Sequence, residues 1–108
     1  MKTIEYHKLV RDRIPEIIEK DGKTCKWSVL TQQDYITLLD QKLNEELTEY
    51  QESKSMEELA DLLEVMSAVA AARGSSLDEV ERIRFGKKEK RGGFEKKILL
   101  ETVIDQEN

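Results

Sequence analysis

Two acidic pairs at helical spacing are the residues of this sequence best suited to chemistry. Glu46 and Glu49 form the first pair, and Glu58 and Asp61 form the second. Eight residues separate Glu49 from Glu58, and the break QESKS lies among them. Two helices joined there would run antiparallel, so that the four carboxylates could face one another. Because like charges at close range repel strongly and Mg²⁺ prefers oxygen ligands, the pattern indicates a Mg²⁺ site of one or two ions.

Other catalytic chemistries find little support. His7 is the only histidine, and nothing beside it marks a nucleophile for a Ser-His-Asp or Cys-His apparatus. Neither acidic pair is followed by the histidine of a di-iron site, and the Gly-rich phosphate loop is absent. Oxygen-only coordination remains, and Mg²⁺ held in that way can bridge phosphate oxygens, activate water and stabilise a leaving pyrophosphate. The spacing alone is weakly specific, since such pairs also occur by chance in acidic helices.

The helical positions of the acids separate them from their acidic neighbours. In a helix from Gln32 to Glu52, Glu46 falls within the apolar face and Glu49 lies at its edge, whereas Glu45 and Glu52 point away. A carboxylate in an apolar face is costly unless it is paired or ligated. That face is made of Tyr35, Ile36, Leu39, Leu43, Leu47 and Tyr50.

In the next helix the second acidic pair flanks the main apolar face. Glu58 is also the third residue of an S-x-x-E capping box that begins at Ser55, so its carboxylate could simply bond back to the Ser55 amide. That structural role is the alternative to a place in a metal site. The apolar face consists of Leu59, Leu62, Leu63, Met66, Val69 and Ala70.

Four helices are predicted from caps, breakers and apolar spacing. Two further segments, TCKWSVL and FEKKILLETVI, are rich in β-branched and apolar residues and could pair as strands. We therefore expect an all-α fold, an antiparallel helical bundle completed by oligomerisation, with a small two-stranded β appendage. The helices run to about Lys20 with Pro15 in the first turn, from 32 to 52 after the cap Thr31, from 56 to 73 after the cap Ser55, and from a Ser76–Glu79 capping box to Gly92–Gly93.

Length and composition limit the class of protein. At 108 residues the chain predicts one domain, residues 1–108. Although 38% of its residues are charged, the helical spacing of Leu, Ile and Val argues against disorder. The single cysteine, Cys25, excludes an internal disulfide, and no CxxC is present for structural zinc. With no secretory signal and no apolar run near the roughly 20 residues of a membrane span, we expect a cytoplasmic protein that does not enter membranes.

Acidic and basic residues are segregated along the chain. Residues 31–64 contain ten acids and two bases, whereas residues 82–97 contain eight bases and two acids. This pattern suits a ligand that carries both metal and phosphate, but two solvated faces of opposite sign would give the same counts. A second hypothesis is therefore a non-catalytic helical oligomer that binds nucleotides or nucleic acid through the basic segment 82–97. The segment 82–97 contains only two aromatic residues, Phe85 and Phe94, so stacking on bases would be limited. Nucleic acid is therefore a less favoured partner than a nucleotide.

With these motifs the chain resembles the MazG-like all-α nucleoside triphosphate pyrophosphohydrolases, a superfamily that includes phosphoribosyl-ATP pyrophosphohydrolases and dimeric dUTPases. The ExxE and ExxD motifs of the family are matched by Glu46-Leu-Thr-Glu49 and Glu58-Leu-Ala-Asp61. KLVRDRIPEII, KLNEELTEY, EELADLLEVM and KRGGF resemble a phosphoribosyl-ATP pyrophosphohydrolase-like subgroup. The resemblance covers nearly the whole chain, although the join between the two acidic helices is shorter than in many members.

The resemblance implies hydrolysis between the α and β phosphates, which releases pyrophosphate and a nucleoside monophosphate or phosphoribosyl-AMP. The four acids of the two motifs would be the catalytic residues and the ligands of Mg²⁺, or of Mn²⁺ in its place. Glu45 begins the EExxE pattern of the family and could position a water, but its helical angle ranks it lower. The resemblance also implies a homodimer or homotetramer and leaves open which nucleotide is the substrate. Its candidate phosphate-binding residues are Lys87, Lys88 and Arg91, followed by Arg11 and Arg13.

Overall fold

The computed structural model describes residues 2–106, and its regular structure is entirely helical. The predicted all-α class is confirmed. The chain divides into two compact units, residues 1–77 and 78–108. None of the helices in the described residues is long and apolar enough to cross a membrane. The helices are α1 (Ile14–Lys20), α2 (Gln32–Ser53), α3 (Met56–Ala72) and α4 (Leu77–Arg91).

Both predicted N-caps of the central helices are confirmed. The Thr31 hydroxyl accepts a hydrogen bond from the Asp34 amide at 3.2 Å, and the Ser55 hydroxyl accepts one from the Glu58 amide at 3.3 Å. Each bond satisfies a backbone N–H that has no partner within its helix. The starts of α2 and α3 are therefore determined by side chains that can be recognised in the sequence.

A very short join makes α2 and α3 antiparallel. Lys54 adopts a left-handed conformation with φ 57°, and its amide donates to the Tyr50 carbonyl at 2.7 Å. Only Lys54 and Ser55 lie between the two helices. At the far end of the pair, Arg73 Nη2 donates to Asp40 Oδ2 at 2.7 Å. The end of α3 therefore lies beside the first half of α2.

The apolar core between α2 and α3 is thin. Its buried apolar residues among those described are Leu39, Val65 and Ala70. Val65 shares its side of α3 with Glu58 and Asp61, because positions four and seven residues apart lie on one face of a helix. The acidic side of α3 therefore lies towards α2. Of the predicted main apolar face of α3, Ala70 is buried, whereas Leu59, Leu63 and Met66 are exposed.

The predicted two-stranded appendage is also wrong. Residues 24–30 and 94–104 are described and contain no strand. Trp27 and Val29 in the first segment and Ile98 in the second are exposed. β-Branched residues favour strands only where a neighbouring strand pairs with them, and a two-stranded ribbon alone is marginally stable in water. Composition indicated strands here, but the pairing that would stabilise them is not formed.

The cap of α3 gives a direct test of how the antiparallel pair is stabilised. We expect Ser55→Ala to lower the free energy of unfolding by about 1 kcal/mol, because the Glu58 amide loses its acceptor. Chemical denaturation followed by circular dichroism measures the change. Ser75→Ala is the control, since Ser75 is an exposed serine after the end of α3. An equal effect of the two substitutions would contradict the role of the cap.

Candidate metal centre

Five carboxylates of α2 and α3 meet close to the turn that joins the helices. Selected oxygens of Glu45, Glu46 and Glu49 lie within 4.8 Å of one another, and the same holds for Glu46, Glu58 and Asp61. Glu46 belongs to both groups and lies at the centre. The structure therefore brings together the four acids selected from the sequence and adds Glu45. These five residues are called the carboxylate cluster below.

Glu46 is the most unusual member of the cluster. The residue is 7% exposed, and its Oε2 atom is buried without a hydrogen-bond partner. Its Oε1 atom lies 3.6 Å from Lys42 Nζ. Burial, followed by the proximity and negative charge of Glu49, raises the pKa of Glu46. A buried oxygen left without a partner is costly, so this atom indicates a position where a ligand would stabilise the protein.

The surroundings of Glu58 do not favour the alternative in which its carboxylate bonds back to the Ser55 amide in a capping box. The Ser55 amide donates to the Ser53 hydroxyl at 3.2 Å, so that amide is already satisfied without the Glu58 carboxylate. Desolvation and the charges of Glu49 and Asp61 raise the pKa of Glu58. Glu58 therefore contributes its backbone to the cap of α3 and its carboxylate to the cluster.

Three cations partly balance the cluster. Arg11 Nη2 donates to Asp61 Oδ1 at 2.8 Å, and Lys8 Nζ lies 3.2 Å from Glu45 Oε1. Lys42 Nζ lies 3.4 Å from the same Glu45 oxygen. Although burial opposes ionisation, Lys8 and Lys42 together lower the pKa of Glu45. When all five carboxylates are ionised, the three cations leave two negative charges, which is the charge that one divalent cation neutralises.

Two of these cations, Lys8 and Lys42, were not predicted from the sequence as partners of the acidic residues. Lys42 precedes Glu45 and Glu46 by three and four residues, a spacing that places their side chains together on a helix, so this pair of contacts could have been found. Lys8 is 37 residues from Glu45 in sequence, and no local pattern predicts that contact. The low rank given to Glu45 has the same origin, because its angle on α2 does not reveal a partner from the N-terminal segment.

A cavity of about 270 Å³ opens beside the carboxylate cluster. Its wall combines apolar, cationic and acidic side chains, so that both a cation and an anion would find partners there. The lining residues are Val10, Arg11, Ile14, Lys42, Glu46, Asp61, Glu64 and Val65.

The other basic residues selected from the sequence lie at the start of α1 and on α4. Arg13 is highly exposed and pairs with Glu16 on α1, with its Nε atom 3.4 Å from Glu16 Oε2. Lys87, Lys88 and Arg91 lie on α4 in the second unit. Of the five candidates, Arg11 is the one that the structure places against the cluster within the first unit.

The donor set of the cluster fits a hard divalent cation. All its side-chain donors are carboxylate oxygens, the ligands that Mg²⁺ prefers. Two oxygens on opposite sides of an octahedral Mg²⁺ lie about 4.2 Å apart, and the selected oxygens of each group lie within 4.8 Å of one another. Small rotations of the partly exposed carboxylates would therefore bring three ligands to one ion, with Glu46 among them.

Comparison with known proteins adds little to this geometry. A stretch of 41 residues is 49% identical to an uncharacterized protein of Mycolicibacterium smegmatis. The match covers 38% of this chain and 42% of the length of that protein. The chain therefore matches less than half of that relative. No family model matches the chain, and no solved structure is similar to it.

The unpartnered oxygen of Glu46 predicts that replacing this buried carboxylate stabilises the protein. We expect Glu46→Gln to raise the free energy of unfolding of the metal-free protein by roughly 1 kcal/mol, because it removes a poorly compensated buried charge. The new amide can also donate to Glu49. Glu52→Gln, an exposed change on the same helix, should have little effect. Thermal unfolding in a chelating buffer measures both, and destabilisation by Glu46→Gln would show that the carboxylate is already satisfied.

The same substitution predicts a pH dependence. Because the pKa of Glu46 is raised in the folded protein, the folded state holds this proton more tightly than the unfolded chain does. Protonation is therefore stabilising, and that contribution is lost as the pH rises through the raised pKa. The advantage of Glu46→Gln over the wild type should be largest near about pH 7 and should shrink towards about pH 4. A difference in melting temperature that stays constant over this range would contradict the assignment.

Proposed function

We propose that this protein is a Mg²⁺-dependent nucleotide pyrophosphohydrolase that cleaves between the α and β phosphates and releases pyrophosphate and a nucleoside monophosphate. The observation that carries the proposal is the Glu46 carboxylate, which has one buried oxygen without a partner and belongs to a cluster with four further carboxylates. An arrangement of this kind is unfavourable unless a cation completes it.

The resemblance between sequence motifs supports the same conclusion. The ExxE and ExxD motifs contribute Glu46 and Glu49 from α2 and Glu58 and Asp61 from α3, and all four lie in the carboxylate cluster. The motif residues thus meet at one place, as a shared cation requires. A homodimer or homotetramer, expected from the same resemblance, belongs to this proposal.

Each part of the site would have a separate task in hydrolysis. The carboxylate cluster would hold the cation, with Glu46 as the buried ligand. A Mg²⁺ ion bound there would supply Lewis-acid stabilisation of phosphate oxygens and of an activated water. Glu45, which is partly exposed and hydrogen-bonded to Lys8, would position the water at the edge of the cluster. The cavity beside the cluster would admit the phosphate groups.

The basic segment 82–97 gives the alternative function less support. Arg82 Nη2 donates to Glu79 at 2.6 Å, and Arg84 Nε donates to Glu81 at 2.9 Å. Both guanidinium groups are therefore engaged by acids of their own helix. Acids of the same helix therefore offset part of the positive charge that this segment would offer to phosphates.

Pyrophosphate release from a panel of nucleotides with Mg²⁺ tests the proposed function. We expect the wild type to release pyrophosphate from at least one member, and Glu49→Gln or Asp61→Asn to reduce kcat/KM by at least about 100-fold through loss of a group that stabilises the transition state. Glu52→Gln is the matched control, because it removes a carboxylate of α2 that lies outside the cluster. Equal activity in all four proteins would overturn the site assignment.

Mg²⁺ titration of the same proteins separates binding from catalysis. A cation that binds the native state raises the melting temperature, so the wild type and Glu52→Gln should be stabilised, whereas Asp61→Asn should not. Stabilisation by nucleic acid, with none by Mg²⁺ or nucleotides, would favour the alternative function.

A further inference from the structure

The N-terminal segment, residues 2–13, is attached to the carboxylate cluster. It precedes α1 and contains no helical turn before Asp12. Two ion pairs connect it to the long helices: Lys8 with Glu45 on α2 at 3.2 Å and Arg11 with Asp61 on α3 at 2.8 Å. Both pairs end on carboxylates of the cluster, so this segment contacts the proposed metal site.

The cavity beside the cluster is formed partly by this segment. Val10 and Arg11 contribute its outer wall, and Lys42, Glu46 and Asp61 contribute the side formed by α2 and α3. Its volume of about 270 Å³ is slightly below the roughly 300–1,000 Å³ of pockets that enclose a whole small-molecule ligand. The space is therefore closer in size to a diphosphate group than to an entire nucleotide, and Arg11 and Lys42 line it beside Glu46, Asp61 and Glu64.

The ion pair between Arg11 and Asp61 is suited to exchange. The side chains of Arg11 and Asp61 are 58% and 43% exposed, and exposed pairs contribute little to stability. Asp61 is also a member of the cluster that would hold the cation. A divalent cation bound to Asp61 would compete with Arg11 for the carboxylate and leave the guanidinium at the wall of the cavity.

We propose that Arg11 binds a phosphate group of the substrate, exchanging the Asp61 carboxylate for a diphosphate once a divalent cation engages the cluster. The planar guanidinium matches two phosphate oxygens at once. Lys42, the second cation of the cavity, supplies a further positive charge. The substrate class is thus a diphosphate-containing ligand that enters between the N-terminal segment and the α2–α3 pair. This inference rests on the metal site of the proposed function.

Isothermal titration of the 108-residue chain with Mg²⁺, and then with inorganic pyrophosphate at constant free Mg²⁺, tests the exchange. We expect Arg11→Gln to bind Mg²⁺ as tightly as the wild type or more tightly, because a competing cation is removed. Its affinity for pyrophosphate should fall by about tenfold or more, since charge-assisted bonds to phosphate are lost. The affinity of Arg11→Lys for pyrophosphate should lie between those of the wild type and Arg11→Gln. An ammonium group retains the positive charge but cannot donate to two phosphate oxygens at once as the planar guanidinium does.

Arg73→Gln is a closely matched control. Arg73 pairs with Asp40 at 2.7 Å with side chains 57% and 47% exposed, but this pair lies at the end of the helices far from the join. The Arg73→Gln variant should bind Mg²⁺ and pyrophosphate as the wild type does. Circular dichroism verifies that Arg11→Gln and Arg73→Gln are both folded.

The outcomes separate this inference from the proposed function. Unchanged pyrophosphate binding in Arg11→Gln would overturn the role of Arg11. A parallel loss of Mg²⁺ affinity in that variant would show that Arg11 supports the cluster instead, which also overturns it. Wild-type protein that binds Mg²⁺ but no pyrophosphate would refute the phosphate site and leave the metal site intact. Wild-type protein that binds no Mg²⁺ would refute both.

Discussion

A buried carboxylate among other carboxylates is the constraint on which the first unit of this protein depends. Glu46 lies in the interface between α2 and α3 together with the few buried apolar residues. Lys42 is near one of its oxygens, but the other has no partner. A core this small would gain stability from an apolar residue at that position. In the proposed function, the charged group at this position would bind a cation rather than contribute to folding.

The short join between α2 and α3 brings the acids of both helices together around Glu46. Because only Lys54 and Ser55 separate the helices, the last turns of α2 and the first turns of α3 must lie side by side. Acids placed there cannot avoid one another. The cap at Ser55 sets the start of α3, and the start of α3 determines which side of the helix faces α2. The same geometry that aligns Glu58 and Asp61 with Glu46 leaves the Leu59 side of α3 exposed.

The cations around the cluster compensate for it only in part, and they come from two different sources. Lys42 belongs to α2 and lies one turn before Glu46. Lys8 and Arg11 come from the N-terminal segment, whose own conformation is irregular. Ion pairs from such a segment are exposed and exchangeable, so the neutralisation that they provide can be replaced by a bound cation. If the proposed exchange occurs, Arg11 of this segment would then be free to bind phosphate where the proposed substrate would enter.

The sequence by itself determined the all-α class, the caps at Thr31 and Ser55, the bounds of the two long helices to within one residue, and the four acids that meet at the join. These features depend on neighbours within about one helical turn, where spacing and capping chemistry act directly. The tertiary structure decided which side of α3 is buried, that residues 24–30 and 94–104 form no strands, and that Arg11, but not Arg13, reaches the cluster. Each of these outcomes depends on a partner far away in the chain. Arg11 and Asp61 are 50 residues apart, and a contact over that distance arises only when the folded backbone brings the two charges together.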